Sequence, residues 1–194
     1  MTGAASYWRD LIVETVRSPG SAARRIVMFN LPREALWTAL ILVGVLNTIL
    51  FTVTNIVVPT PSPLPAAINN PVVILMIVSG GLVLSALALF WAGRALGGTA
   101  ALRDILLLMI WLQALRVLVQ VATLLLLFIA PVFAVVFVMA ANLLSIWILA
   151  HFINAAHQLN SLMRSAGVLV AAIVGLSLIL SLLGISILGS SIDV

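Results

Sequence analysis

The chain has 194 residues, 64% of them hydrophobic and only 7% charged, with a mean hydropathy of +1.32. Soluble domains carry about a quarter charged residues, so this composition excludes an ordinary water-soluble fold and gives room for about five or six spans of roughly 20 residues. The net charge is +4 and every cationic residue is an arginine. These arginines flank apolar runs, so their natural partner is the anionic face of a lipid bilayer rather than a nucleic acid.

The absence of cysteine excludes disulfides, thiolate metal sites and a cysteine nucleophile. Residues 1–34 contain no continuous apolar run of the kind a cleavable signal peptide needs, so the first span is expected to direct insertion.

Residues 1–34 read as an amphipathic leader. In YWRDLIVETVR, helical spacing puts Trp8, Leu11, Ile12 and Val16 on one face and turns Asp10, Glu14 and Arg17 away. Ser18-Pro19 reads as a helix cap followed by proline at the first helical position. A second short helix, SAARRIVMF, would set Ala22, Ile26 and Phe29 toward lipid and leave Arg24, Arg25 and Arg33 to meet headgroups. The expectation is a pair of interfacial helices lying on the cytoplasmic face; a docking surface for a cytosolic partner is the alternative.

Five apolar segments follow, at about 35–58, 72–96, 105–130, 132–152 and 166–189. Each is long enough to cross a hydrocarbon core of about 30 Å as a helix, and none alternates with the period of two that a barrel strand requires. Trp37 near the start of the first and Trp91 near the end of the second suit interfacial anchoring. The predicted fold class is therefore an all-α membrane protein, a bundle of five transmembrane helices with an amino-terminal cytoplasmic amphipathic region.

The connections carry the orientation. PTPSPLPAAINNP, residues 59–71, is proline-rich and uncharged, and reads as an extended hydrated loop. Only Ala130-Pro131 separates the third and fourth spans, which implies a tight antiparallel hairpin. Arg9, Arg17, Arg24, Arg25 and Arg33 precede the first span, Arg94 and Arg103 join the second to the third, and Arg164 joins the fourth to the fifth. Segments 59–71, 130–131 and 190–194 contain no arginine. The positive-inside rule then puts the amino terminus in the cytoplasm and the carboxyl terminus outside, with 190–194 a short external tail.

Helix association in lipid relies on small residues that permit close approach. Gly81, Ser85, Gly93 and Gly97 form one four-residue stripe, and Gly167, Ala171 and Gly175 form another. These are candidate packing seams, within the bundle or between copies of the chain.

The polar residues inside the spans are more discriminating. At about 1.5 Å per residue, Asn47 lies roughly 18 Å past residue 35, Arg116 about 17 Å past residue 105 and Asn142 about 15 Å past residue 132. Gln113 and Gln120 sit one turn either side of Arg116. A polar seam joining spans one, three and four would gather Asn47, Gln113, Arg116, Gln120 and Asn142. Sliding span three by one or two turns would instead leave Arg116 about 8 Å deep, within snorkelling reach of the interface.

No span contains Asp or Glu, so Arg116 lacks an intramembrane carboxylate. A central arginine costs at least about 2.5–3.5 kcal/mol on insertion scales. Bonding to neighbouring amides would offset that cost structurally; a lipid phosphate or another anion would make the same arginine a binding site.

His151, Asn154, His157 and Ser161 form a second polar cluster at the end of span four, expected to make interfacial hydrogen bonds. Two histidines six apart do not suit a helical metal pair, so no metal or other cofactor is expected. No GxSxG, HExxH or intramembrane acid pair occurs, and the glycines of GRALGGT fit a turn rather than a phosphate cradle. Neither catalysis nor a catalytic residue is expected.

Three stretches, in this order and spacing, resemble the Yip1 family of small five-span membrane proteins: RSPGSAARRI, GRALGGTAALRDILL, and ANLLSIWILAHFINAAHQLNSLMRSAGVLV. The resemblance implies an integral membrane protein without known catalysis. Eukaryotic relatives act in vesicle trafficking and associate with Rab-type GTPases through a DLxGP-type motif. Here Asp10-Leu11 is followed by Ile12 and Val13, so that association is not carried over.

Arginine without lysine, a short cytosolic region and uncharged outer loops suggest a bacterial inner-membrane member. The expected function is that of a non-catalytic membrane organiser or partner-recruiting scaffold. Its partners would be anionic headgroups at the cytoplasmic face and a membrane protein or second copy of the chain, with no nucleic acid. The alternative is a small transporter, or a lipid- or anion-handling protein, using Arg116.

Overall fold

The structure is a computed structural model that describes residues 2–58 and 70–189, with side chains over 5–58 and 70–182. The proline-rich loop, apart from Asn70-Pro71, and the external tail lie outside the described residues. Seven helices make up the described chain: α1 (Thr2–Arg17), α2 (Pro19–Val27), α3 (Arg33–Val57), α4 (Pro71–Ala95), α5 (Leu102–Ile129), α6 (Pro131–His157) and α7 (Leu162–Gly189). The last five are long and apolar enough to cross a membrane, which gives the all-α, five-span bundle expected from hydropathy.

Proline punctuates the starts. Pro19, Pro71 and Pro131 each open a helix where the missing N–H costs no intrahelical bond. Asn70 caps α4 by accepting from the Val72 N–H at 2.9 Å. Ala130 ends α5 and begins α6 in one extended residue with φ −155°, so the third and fourth spans form a close antiparallel hairpin.

The two ends of the bundle differ. At one, here the leader end, α1 packs against α2 and α6, and α2 against α5 and α6. There Leu11 and Ile26 are fully buried together with Phe152 and His157. Removing an aliphatic side chain from water contributes about 1.5–3 kcal/mol, so this cluster fastens the leader to the bundle.

The lipid-facing expectation for the leader is corrected by that packing. Ala22 and Ile26 are inaccessible because α2 lies against α6 and α5. The buried stripe of α1 runs through Leu11 and Thr15, whereas Val16 is exposed. Periodicity located an apolar face, but protein rather than lipid covers it.

Polar contacts complete the docking. Trp111 of α5 donates through Nε1 to Thr15 Oγ1 at 3.1 Å, and its ring stacks with Trp8 at 6.0 Å between centroids. Thr15 in turn donates to the Leu11 carbonyl. Between the two leader helices, Glu14 accepts from Ser21 at 2.6 Å and from Arg25 at 2.8 Å. These bonds hold the Glu14 carboxyl below the usual carboxylate range, with Ser21 the larger cause and Arg25 the second. The Arg25 guanidinium also covers the Tyr7 ring, 4.3 Å from its centroid, and Arg103 donates to the Leu31 carbonyl.

Candidate functional site

α5 is the central element of the site. From Ile105 to Ile110 it is enclosed almost completely by protein, and no residue between positions 104 and 115 is exposed. Arg116 is the first exposed residue after that stretch, followed by Leu118. The guanidinium therefore projects where α5 passes from protein-covered to open.

Helices α3 and α6 each pack against α5 and leave a cleft of ≈ 420 Å³ between them, in the half of the bundle away from the leader. Arg116, Gln120 and Thr123 of α5 form its floor; Asn142 and Ser145 line the α6 wall, and Phe51 and Thr54 the α3 wall. In the hairpin, residues equally far from Ala130 lie side by side, so Arg116 is level with Asn142 and Ser145. Leu124 and Leu127 line the cleft further from the leader. One end of the cleft is polar and the other is largely apolar.

Of the five residues expected to form a seam, three meet here: Arg116, Gln120 and Asn142. Gln113 lies outside the cleft lining. Asn47 is buried within α3 and donates to its own helix at the Val43 carbonyl, at 2.9 Å. Nor does Arg116 bond to neighbouring amides: it forms no hydrogen bond or ion pair with any described residue. Gln120 Oε1 is enclosed and likewise has no hydrogen-bond partner among them. Ser145, Thr54 and Thr123 escaped the sequence reading, although Ser145 follows Asn142 by three residues on the same helical face.

Five intramembrane hydroxyls are occupied locally. Thr48, Thr52, Thr54, Thr123 and Ser145 each donate to a carbonyl one turn back on the same helix. Such bonds satisfy the hydroxyl without linking helices. Among the described residues, no three His, Asp or Glu side chains are grouped to hold a metal ion.

The histidine cluster splits. His151 donates from Nδ1 to the Trp147 carbonyl at 2.9 Å, and Asn154 Oδ1 accepts from the Ser161 N–H at 3.2 Å. His157 is not interfacial as expected but 1% exposed. Its ring lies over Gly93 and Gly98, where any Cβ would overlap the imidazole. The Thr99 N–H donates to the His157 carbonyl at 3.2 Å, joining the α4–α5 turn to the end of α6.

Within the chain, most of the two glycine stripes lies off the faces where the helices meet. A Cβ at Gly81 or Gly175 would meet nothing within 4 Å, and one at Gly167 would make only ordinary contact with Leu96. Ala171 is exposed and Ser85 only half-buried, while Gly97 lies beyond the end of α4 with φ +87°. The faces that pack are Leu82, Ala86, Leu89 and Gly93 on α4, and Ser165, Val168 and Ala172 on α7. Only Gly93 belongs to both sets. The closest small-residue approach of α3 to α4 is instead Gly44, where a Cβ would collide with Ser79.

A family model, the Yip1 domain, matches residues 13–184. No curated protein and no solved structure matches the chain. The matched range takes in most of the leader, the glycine-bearing turn and all five spans.

Proposed function

Because the chain belongs to the Yip1 family, we propose that it is a non-catalytic membrane organiser or partner-recruiting scaffold. In this reading it resides in a bacterial inner membrane, amino terminus in the cytoplasm and carboxyl terminus outside. The observation that carries the reading is the docked leader. Buried Leu11, Ala22, Ala23 and Ile26 tie it to the bundle, while Arg9, Arg17, Arg24 and Arg33 stay exposed. Arg94, Arg103 and Arg164, at the same end, are exposed as well. A pre-ordered cationic surface needs little further ordering to bind, which favours recruitment of an acidic partner at an anionic membrane.

The test is photo-crosslinking in native membranes from probes at exposed leader positions such as Val13 and Arg17. The reading predicts capture of a discrete protein partner, lost when Arg9, Arg17 and Arg24 are changed to glutamate in a chain that still inserts. Capture of lipid alone, or a partner retained by the charge-reversed chain, would contradict it.

A further inference from the structure

We propose that the cleft between α3 and α6 binds one acidic phospholipid, its phosphate on Arg116 and an acyl chain along the floor of α5. The arginine is the first argument. It opens into a cleft inside an apolar span, no span supplies a carboxylate, and no described residue pairs with it. A guanidinium in such surroundings demands an anion or water. The enclosed carbonyl oxygen of Gln120, one turn along, is likewise without a partner among the described residues.

The second argument is the polarity of the cleft. Arg116, Gln120 and Asn142 stand at the end nearer the leader, and Leu124 and Leu127 lie toward the other, where the hydroxyls of Thr123 and Thr54 are taken up by carbonyls of their own helices. That is the order of an amphiphile lying along the cleft, its charged group at mid-bundle and its chain directed away from the leader. From Arg116 to Leu127 the floor extends about 16 Å at 1.5 Å per residue, and ≈ 420 Å³ falls in the range of sites that enclose small amphiphilic ligands. A small soluble anion would use the polar end and leave the apolar end without a role.

The protein is reconstituted in phosphatidylcholine vesicles containing a trace of phosphatidylglycerol with a diazirine in its acyl chain. It is then irradiated, and the labelled peptides are mapped. Labelling is expected on α5 and α6 around Leu124, Leu127 and Val138, at wild-type level or near it in Arg116→Lys. In Arg116→Gln it should fall about fivefold or more, as for loss of one charge-assisted hydrogen bond. Val138→Trp fills the cleft without touching the arginine and should lower labelling likewise, so the test survives if Arg116→Gln fails to fold. Equal labelling by the matching photoactive phosphatidylcholine would overturn the assignment, as would labelling unaffected by either variant. Competition by inorganic phosphate as effective as that by unlabelled phosphatidylglycerol would replace the lipid with a free anion and overturn it too.

Discussion

His157 of α6 lies across Gly93 of α4, leaving no room on the glycine for even a methyl group. Gly98, beyond the end of α4, meets the same imidazole from the α4–α5 turn. One ring thus sets the distance between three connected parts of the leader end. Gly93→Ala is expected to destabilise the protein by about 1–3 kcal/mol through overpacking. His157→Ala in the same chain should restore part of that loss, because the two changes share one contact. Thermal unfolding of the single and double variants in detergent measures the coupling; strictly additive effects would contradict the contact.

Thr15 links the leader to α5 through the Trp111 indole. Thr15→Val keeps the shape and leaves the indole N–H without its acceptor, an expected cost of about 1 kcal/mol. That cost falls on docking of the leader, so tryptic cleavage at Arg17 should accelerate about fivefold while the spans stay protected. Cleavage at the wild-type rate would mean the leader is held without this bond.

The Glu14 carboxyl is held below its usual range by Ser21 first and Arg25 second. A depressed carboxylate stabilises the folded leader above the unfolded pKa, about 4.3, and the contribution is lost as pH falls through the folded value. Both side chains keep partial solvent access, so the effect is modest. Amide exchange in α1 and α2, corrected for its intrinsic pH dependence, should rise on acidification below that range in the wild type. Glu14→Gln should show the looser leader already at neutral pH and little further change.

Asn47 was expected to join a seam between helices but bonds to its own α3 backbone. Asn47→Leu removes a polar group that links nothing, so unfolding should change by less than about 1 kcal/mol. A larger loss would place the amide in an interhelical contact after all.

What could be read from the sequence follows from how local each signal is. Five spans, the proline start at Pro19 and the tight hairpin at Ala130 depend on residues adjacent in the chain, and each is present in the structure. The leader's apolar stripe was visible, but its periodicity is the same whether lipid or protein covers it; only the fold turns Ala22 and Ile26 onto α6 and α5. His157 could not be placed, because its burial depends on glycines some sixty residues earlier, a distance set by packing. Where the small-residue stripes fall within the bundle was hidden for a related reason, since the buried faces of α4 and α7 are rotated by a residue from Gly81 and Gly175. Helical spacing did bring Arg116, Gln120 and Asn142 into one cleft, but it could not show that Arg116 would lack a partner within the chain.

The central claim is a membrane bundle crossed five times, with the arginine-bearing turns and docked leader on the cytoplasmic side. The chain has no cysteine, so single cysteines at Thr99, Gln158, Ser62 and Ser190 can be labelled with a membrane-impermeant maleimide in sealed vesicles of known sidedness. The account predicts that Thr99 and Gln158 react only from the cytoplasmic side, and Ser62 and Ser190 only from the opposite side. Labelling of Thr99 and Ser62 from the same side would contradict it.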